Sequence, residues 1–383
     1  MWKRVLWITV LCLVVLVVLL AISGPLLALF GVQPPFSIES SSGHLRLVRA
    51  TVDPASLPAL APGTPPALAS NAQPVIVDTD MAADDWLAIL YLLQHPGVDV
   101  QAITVVGTGE AHCGPGVQNA LDLVALTGRP EIPVACGRET PLAGDHTFPR
   151  AWRARVDSLL GLSLPSNPNP PHAGSAVELL TRTVLRSSQP VHLVALGPLT
   201  NLAQAIEASP ELVDNLHRIT IMGGAVNVPG NVSASSDTGN EWAEWNIYAD
   251  PHAAGVVLGS GAPMTLVPLD ATQYVPVTTG FQKTLRRERE TPPAEFVYRV
   301  LAQKAGDIQS GGYYFWDPFA AAVVTEETLA TFQEMSLTVV EAEGPQSGRT
   351  LVSSAGYPVR VATGADAARF EKLFLETLHG QSP

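Results

Sequence analysis

Positive charge is scarce in this sequence. Its 383 residues include 22 Lys and Arg against 35 Asp and Glu, and the formal net charge is −13. A protein that binds polymeric nucleic acid needs clustered Lys and Arg to displace counterions from the phosphates. The charge balance therefore argues against a nucleic-acid polymer as a partner.

Cysteine is equally sparse, with three residues in the whole chain. Cys12 falls in an apolar N-terminal stretch, which leaves Cys113 and Cys136 as the candidates for a disulfide. Spacing alone does not decide whether they pair. The sequence favours two unpaired cysteines buried as small hydrophobic side chains, with a disulfide as the alternative.

Charge is absent from a long stretch near the N-terminus. Lys3 and Arg4 precede an uncharged run that continues past Phe30, and the first part of it, residues 5–23, is long enough to cross a bilayer. We expect residues 1–30 to form a transmembrane signal anchor. A cleaved signal peptide is the alternative, because "AIS" before Gly24 has the pattern of a cleavage site.

The two N-terminal cations also predict orientation. Positive residues stay on the cytoplasmic side, so the rest of the chain is expected outside the cytoplasm, either periplasmic or extracellular. The domain is anchored to the membrane, or secreted if the segment is cleaved. Residues 31–73 are rich in Pro, Ala and Ser, which predicts an extended linker before a domain at residues 74–383.

From Pro74 onward, short β-rich runs alternate with amphipathic helical patterns. The predicted strands are "VIV" (75–77), "VQAITVV" (100–106), "PVAC" (133–136), "VHLVAL" (191–196), "RITIM" (218–222) and "MTLVPL" (264–269). The predicted helices are "DDWLAILYLLQ", "VQNALDLVALTG" with Gly128 as its stop, "SAVELLTRTVLRSS" and "LTNLAQAIEAS". This alternation predicts a single large α/β domain with an open, mainly parallel, Rossmann-like sheet and helices on both faces.

Acidic residues cluster at the end of the first predicted strand, in "VIVDTDMAADD". Asp78, Asp80, Asp84 and Asp85 would repel one another unless a cation or fixed hydrogen-bond donors offset their charge. Capping of the following helix by Asp84 and local hydrogen bonds to Asp78 are simpler explanations for one or two of these acids. Carboxylates alone favour a hard cation, Ca²⁺ or Mg²⁺, at the mouth of a site beyond the strand.

The same stretch resembles the N-terminal signature D-x-D-x-x-x-D-D of the inosine–uridine-preferring nucleoside hydrolase family. The resemblance continues, in the order of the family, through "ITVVG", "QNALDLVALTGRPEIPVACG", "LVALGPLTNLAQAI", "ITIMGGA", "AEWNIYADPHAA" and "WDPFAAAV". It covers nearly all of the chain from residue 74 onward. The resemblance implies an N-glycosyl hydrolase that converts ribonucleosides to ribose and free base.

The resemblance also implies the cofactor and the catalytic group. Family members hold one Ca²⁺ that contacts the ribose and the attacking water. By motif position, its ligands here are Asp80, Asp85, the backbone carbonyl of Leu196, and Asp317. Asp80 is the implied general base.

Sugar recognition follows from the same comparison. The residues implied to contact ribose or to line its pocket are Asp84, Met222, Glu244 and Asn246, with either Asn231 or Asn240 as a further contact to the 5′-hydroxyl. A site built around these groups is expected to discriminate against deoxyribonucleosides.

This sequence departs from the family pattern at the base-binding end. Thr108 replaces an Asn that many relatives have after "VVG", and Trp316 stands where some members have a His that assists the departing base. We predict that Trp316 stacks on the base and favours purines, with Trp152 or Phe148 covering the opposite face. His112 and His146 are nearby in sequence and are expected to be structural.

The sequence therefore predicts a calcium-dependent ribonucleoside hydrolase that scavenges external nucleosides. Two alternatives remain open: a metal-dependent phosphatase with a D-x-D loop, and a noncatalytic calcium-dependent binding protein. The phosphatase needs Lys or Arg to hold phosphoryl oxygens, and none lies near the D-x-D loop in sequence. Family members are commonly dimers or tetramers, so a homodimer or homotetramer is expected.

Overall fold

A computed structural model describes residues 36–41, 44–49 and 57–381, apart from residue 237. The chain divides into two compact units, residues 1–57 and 58–383. The predicted transmembrane segment, residues 1–30, lies outside the described residues. Within the described ranges, no helix has both the length and the apolar character needed to cross a membrane.

The first unit contains an antiparallel pair of strands, β1 (Phe36–Ser41) and β2 (His44–Arg49), in which Phe36 lies opposite Arg49. Both strands fall inside the predicted linker, residues 31–73. The Pro-rich surroundings obscure the alternation of polar and apolar residues in "FSIESS" and "HLRLVR".

The second unit is built on one nine-stranded mixed sheet in the order β10-β9-β11-β8-β7-β6-β3-β4-β5. Its strands are β3 (Gln73–Thr79), β4 (Val98–Val105), β5 (Val134–Cys136), β6 (Val191–Ala195), β7 (Leu216–Met222), β8 (Met264–Val267), β9 (Ala330–Val339), β10 (Thr350–Val352) and β11 (Tyr357–Ala365). Strands β3 to β8 are mutually parallel, and all six coincide with predicted strands. The mainly parallel sheet is confirmed, because in this sheet of the described residues β9 alone runs opposite to the other strands, between β10 and β11.

The helices that connect these strands include all four predicted from periodicity. They are α1 (Ala83–Gln94), α2 (Cys113–Leu126), α3 (Arg150–Asp157), α4 (Ala176–Arg186), α5 (Thr200–Ala208), α6 (Trp245–Ala249), α7 (Pro251–Leu258), α8 (Leu269–Thr272), α9 (Thr279–Arg287), α10 (Pro292–Gln303), α11 (Ala305–Gln309), α12 (Trp316–Thr325) and α13 (Ala367–Leu378). Helix α2 stops as predicted, because Gly128 adopts a φ of 75° just beyond its end.

The strand order places a crevice between β3 and β6. From β3 the chain moves outward through β4 to β5, whereas from β6 it moves the opposite way through β7 to β8. Right-handed crossovers then place the connecting helices on both faces of the sheet. In such sheets ligands bind beyond the carboxyl ends of the two strands where the order reverses. The acidic loop leaves β3 at this point.

The two cysteines of the domain are joined. Cys113 and Cys136 form a disulfide, with Cα atoms 5.6 Å apart, so the expectation of two unpaired buried cysteines was wrong. The bridge forms because α2 begins beside the end of β5, which the spacing in sequence does not reveal.

The second compact unit begins at Pro58, before the first strand of its sheet. The Gly63 N–H, in this early segment, donates a hydrogen bond to the Leu126 carbonyl at 2.7 Å.

Candidate active site

Asp78 is a structural residue of the sheet. Its carboxylate is fully buried and accepts hydrogen bonds from the Thr104 hydroxyl at 2.6 Å and the Asn201 amide at 2.8 Å. Burial raises its pKa to about 7. The simpler alternative of local hydrogen bonds was wrong, because Asp78 joins β4 and α5 to the end of β3.

Asp80, in contrast, faces the crevice and is held from several sides. Its Oδ1 accepts the Ala82 N–H at 3.2 Å and its Oδ2 accepts the Glu110 N–H at 3.0 Å. Two glycines allow this close approach: a Cβ on Gly109 would lie 2.1 Å from the Asp80 Cβ, and one on Gly197 would lie 2.7 Å from it. The backbone therefore fixes the position of this carboxylate.

The contact between Gly109 and Asp80 gives a direct prediction. The family resemblance implies that Asp80 is the general base for ribonucleoside hydrolysis. We therefore expect Gly109→Ala to lower kcat for that reaction by about 100-fold, because displacement of a catalytic group by about 1 Å costs that much. Steady-state kinetics of the purified variant test the effect. Gly114→Ala is the matched control, since a Cβ there meets no atom within 4 Å and should leave kcat unchanged. Equal kcat for wild type and Gly109→Ala would show that Asp80 does not need this position.

Three carboxylates meet beside Asp80. Asp84 and Asp85, in the first turn of α1, and Asp317, near the start of α12, each offer an oxygen within 4.8 Å of the others. The simpler alternative, that Asp84 caps α1, was wrong, since the N-cap is Ala82 and makes no side-chain cap. Asp85 Oδ1 accepts hydrogen bonds from the Thr79 hydroxyl and from the Asp80 N–H.

The carboxylates of this cluster are close together and buried, which favours the binding of a cation. Burial raises the pKa of Asp80 to about 6. Burial, reinforced by the neighbouring carboxylates, raises the pKa values of Asp85 and Asp317 well above their usual range. Asp85 Oδ2 and Asp317 Oδ1 are buried and have no hydrogen-bond partner among the described residues. These oxygen donors fit a hard divalent ion, which would satisfy both orphaned atoms and offset the repulsion.

The predicted main-chain ligand lies on the other side of the crevice. Leu196 follows β6, and its N–H donates to the Asp78 carbonyl at 2.8 Å. Leu196 lines the same cavity as Asp80. Its carbonyl accepts a hydrogen bond from the Asn246 amide at 3.0 Å. The carboxyl ends of β3 and β6 thus bring the predicted ligands together, as the strand order requires.

The predicted ribose-binding residues line this cavity as well. Glu244 caps α6, accepting the Asn246 N–H at Oε1 and the Gly224 N–H at Oε2, both at 2.9 Å. Burial raises the pKa of Glu244 to about 7. The Asn246 amide also donates to the carbonyl of Met222 at 3.1 Å. Backbone contacts therefore orient these side chains before any ligand binds.

The structure distinguishes the two candidate asparagines. Asn231 lines the cavity, and its Oδ1 accepts the Trp245 N–H at 3.1 Å. Asn240 is buried elsewhere: its amide donates to the Ser347 carbonyl at 2.7 Å, and its Oδ1 accepts the Ala243 N–H at 3.1 Å. Asn240 is therefore a loop-stabilising residue and not part of the cavity wall.

Aromatic side chains form another part of the wall. Trp316, Trp152 and Phe148 all line the cavity, as predicted for the base-binding end. Trp316 is half-buried and contacts Tyr313 edge-on, with ring centroids 5.4 Å apart. Phe148 stacks against Trp245 at 4.9 Å. Trp245 also faces the cavity, although sequence reasoning missed it.

The two histidines and Thr108 lie outside this wall. His112 pairs with Asp157 at 2.7 Å, and His146 stacks on Tyr248 at 4.0 Å. The Thr108 hydroxyl bonds the Thr200 hydroxyl at 2.9 Å. These side chains have structural contacts, and none of them is among the residues that surround the cavity in the described part of the chain.

Sequence reasoning missed the charged groups that distant segments bring to the cavity. They are Glu110 after β4, Arg155 on α3, Lys304 at the end of α10, and Asp307 on α11. Burial raises the pKa of Glu110 to about 8. The two cations also remove one sequence-based argument against a phosphatase, because positive charge does lie near the D-x-D loop in space.

The whole cavity has a volume of about 540 Å³, within the range of small-molecule sites. It combines a carboxylate cluster suited to a hard cation, polar side chains fixed by the backbone, and aromatic walls, all beyond the reversal point of an α/β sheet. This arrangement is suited to a hard cation and to a small ligand with both polar and aromatic parts.

Comparison with known proteins agrees with this class. The family profile "Inosine-uridine preferring nucleoside hydrolase" matches residues 75–372, and the chain belongs to that family. Curated relatives include the pyrimidine-specific ribonucleoside hydrolases RihA of Shewanella oneidensis and Salmonella schwarzengrund. The first is 38% identical over 53% of this chain and the second 39% over 52%. The matched part spans 61% of the length of each relative.

Solved structures extend the similarity to most of the domain. A plant nucleoside hydrolase, PpNRh1, matches with a TM-score of 0.71 and 30% identity, covering 80% of this chain and 98% of the plant chain. A purine-preferring ribonucleoside hydrolase from Gardnerella vaginalis matches with a TM-score of 0.69 and 30% identity, again covering 80% and 98%. The predicted family and the α/β fold are confirmed.

Proposed function

We propose that this protein hydrolyses the N-glycosidic bond of ribonucleosides to ribose and free base, with Ca²⁺ as cofactor. The observation that carries the proposal is the joint placement of Asp80, Asp85 and Asp317 with Glu244 and Asn246 in one cavity. A noncatalytic calcium site needs the first three groups but has no use for the last two. Membership of a nucleoside hydrolase family supports the same activity.

The proposed calcium ligands are Asp80, Asp85, Asp317 and the carbonyl of Leu196. When bound, the ion supplies a positive charge that lowers the pKa of nearby water and carboxylates. Asp84 is close enough to contribute, since its carboxylate lies within 4.8 Å of those of Asp85 and Asp317. The two orphaned oxygens of Asp85 and Asp317 support a cation at this point.

Asp80 is the proposed general base. Its carboxylate is held by two backbone N–H groups, so it is already oriented toward the cavity. It takes the proton of the water that adds to C1′ of the ribose. The C1′–N electron pair leaves with the base, and a ribosyl group with cationic character develops beside a predominantly acidic wall, which stabilises that charge.

Glu244, Asn246, Asn231 and Asp84 are proposed to bind the ribose hydroxyls. Buried polar groups that lose their partner cost several kcal/mol, on the order of 10⁴-fold in specificity at such sites. Deoxyribonucleosides are therefore proposed to be poor substrates. Met222 contributes an apolar contact to the same wall.

The proposed base preference is for purines. Trp316 and Trp152 both line the cavity with Phe148, and a bicyclic base covers more aromatic surface than a monocyclic one. Relatives differ on this point: the RihA proteins are named pyrimidine-specific, whereas the Gardnerella enzyme is named purine-preferring. We therefore propose that the aromatic wall residues, and not the catalytic carboxylates, determine which base is preferred.

A substrate panel tests the proposed reaction class. Purified protein with CaCl₂ is incubated with ribonucleosides and with a ribonucleotide, and both free base and inorganic phosphate are measured. We expect base release from nucleosides and no phosphate release. Phosphate release without base release would favour the phosphatase, for which the cations at Arg155 and Lys304 are the relevant groups.

Stacking by Trp316 gives a prediction on specificity. Trp316→Ala should lower kcat/KM about tenfold for inosine and adenosine, since an aromatic contact is worth about 0.5–1.5 kcal/mol beyond its buried area. Uridine and cytidine should lose less. Trp242→Ala, an exposed tryptophan outside the cavity wall, is the control. Equal losses for all four bases, or faster turnover of pyrimidines by wild type, would remove the stacking proposal.

The setting of the enzyme is also a proposal. We propose that residues 1–30 carry the domain across the membrane and either anchor it or are cleaved. There the protein would supply bases and ribose for salvage from external nucleosides, where calcium is abundant enough to fill even a loose site. A homodimer or homotetramer is the proposed assembly.

A further inference from the structure

Positive charge at the aromatic end of the cavity has no role in water activation or ribose binding. Lys304 is the C-cap residue of α10 and is one of the residues that line the cavity. The ammonium lies 5.4 Å from the centroid of the Tyr313 ring. Tyr313 in turn meets Trp316 edge-on at 5.4 Å. Lys304 thus belongs to the same aromatic cluster that forms the proposed base-binding wall.

This ammonium is available to a ligand. Among residues 57–381 other than residue 237, no carboxylate forms an ion pair with Lys304, although the residue is half-buried. Lys304 lines the same cavity as Asp84 and Glu110. Its charge is therefore placed at the cavity, and no direct partner among the described residues neutralises it.

We propose that Lys304 stabilises the negative charge that the nucleobase gains as its bond to C1′ breaks. The inference rests on the proposed nucleoside hydrolysis and names a group that serves the leaving base. The electron pair of the C1′–N bond moves onto the base, water adds to C1′, and Asp80 accepts the water proton. The ammonium keeps its own protons, and the departing base takes its proton from solvent.

The chemistry of the ammonium also selects among bases. Lysine offers three donors and no acceptor, so it suits a base that carries charge on a carbonyl oxygen. Hypoxanthine, guanine and uracil have such an oxygen where adenine and cytosine have an exocyclic amine, which is a donor itself. Lys304 is therefore expected to favour oxo bases over amino bases in each size class.

Arg155, the other cation of the wall, fits this role less well. Its side chain is exposed on α3, where solvent screens its charge. A half-buried ammonium beside aromatic rings acts in a lower dielectric, so its interaction with a developing anion is stronger. The two cations therefore differ in how strongly they would stabilise the departing base.

Comparison of a poor and a good leaving group separates catalysis from folding. Calcium-loaded wild type, Lys304→Met and Lys304→Arg are assayed with inosine and with 4-nitrophenyl β-D-ribofuranoside, whose leaving group needs little stabilisation. We expect Lys304→Met to lower kcat for inosine by about 100-fold, the effect of removing one donor to a developing anion. The loss for the aryl riboside should stay within about fivefold, and Lys304→Arg should recover most of the inosine rate, since it keeps the charge.

Lys283→Met, at an exposed lysine on α9, is the matched control and should behave as wild type. Unfolding temperatures with and without CaCl₂ verify that each variant folds and binds the ion. Equal fractional losses on both substrates, or no recovery in Lys304→Arg, would overturn the role of Lys304. If wild type cleaves neither substrate, the proposed function itself fails and the role of Lys304 fails with it.

Discussion

Asp80→Asn should lower kcat for ribonucleoside hydrolysis by about 10³-fold or more. General-base catalysis contributes about 10²–10⁴-fold, and the same substitution removes one negative charge from the proposed calcium site. Asn keeps the shape of the side chain, and its Oδ1 can still accept the N–H of Ala82 or Glu110, which bond the carboxylate now. The fold is therefore expected to persist while the chemistry is lost.

The matched control is Asp214→Asn, at an exposed aspartate beyond the cavity wall. Circular dichroism and the unfolding temperature show whether each variant is folded, and a base-release assay gives kcat. Asp80→Asn activity within a few-fold of wild type would contradict the assignment of the general base.

Asp85→Ala should act first on the metal. Its carboxylate is buried beside Asp80 and has one orphaned oxygen, so its loss removes a proposed ligand. We expect the calcium concentration needed for half-maximal activity to rise about 100-fold, at the upper end of what one substitution around a metal typically costs. Activity should return at least partly at high CaCl₂, in contrast to Asp80→Asn.

The pH dependence of calcium binding provides a second test of these proposed ligands. The pKa values of Asp85 and Asp317 are raised in the metal-free protein, so protons compete with the ion and calcium binding releases them. The rise in unfolding temperature caused by CaCl₂ should therefore be larger at pH 8 than at pH 5, and much smaller at both in Asp85→Ala. Full activity of wild type after EDTA treatment and dialysis would contradict a calcium requirement.

The parallel part of the sheet could be predicted because its strands are short apolar runs between helical patterns. Val75, Ile76 and Val77 are completely buried, as a strand covered on both faces requires. Strand β9 escaped prediction because most of its residues are only partly buried, and polar residues interrupt the apolar ones. A half-exposed strand near the sheet edge resembles a loop in sequence.

The position of Asp80 and Leu196 at the cavity could be predicted because both directly follow strands that the sequence predicts. Asp80 and Leu196 come together because β3 and β6 are neighbours. The charged residues that distant helices bring to the wall, and the role of Asn240, could not be predicted in this way. Lys304 reaches the cavity from the end of a helix, and the role of Asn240 depends on a carbonyl 107 positions further along the chain.

The domain boundary shows the same limit. Composition predicts a linker up to residue 73, but Pro58 accepts a hydrogen bond from Arg299 at 2.7 Å through its carbonyl. A segment without helical or strand periodicity can still form backbone hydrogen bonds with the rest of the domain. A soluble version should therefore retain residues from 58 onward, and not begin at residue 74.

The central claim is that this protein hydrolyses ribonucleosides with water as the nucleophile. The most direct measurement follows inosine by chromatography in a phosphate-free buffer with CaCl₂ and quantifies both products. We predict equal amounts of hypoxanthine and free ribose, at a rate that added phosphate does not change. Intact inosine, or cleavage that occurs only when phosphate is added, would contradict the account.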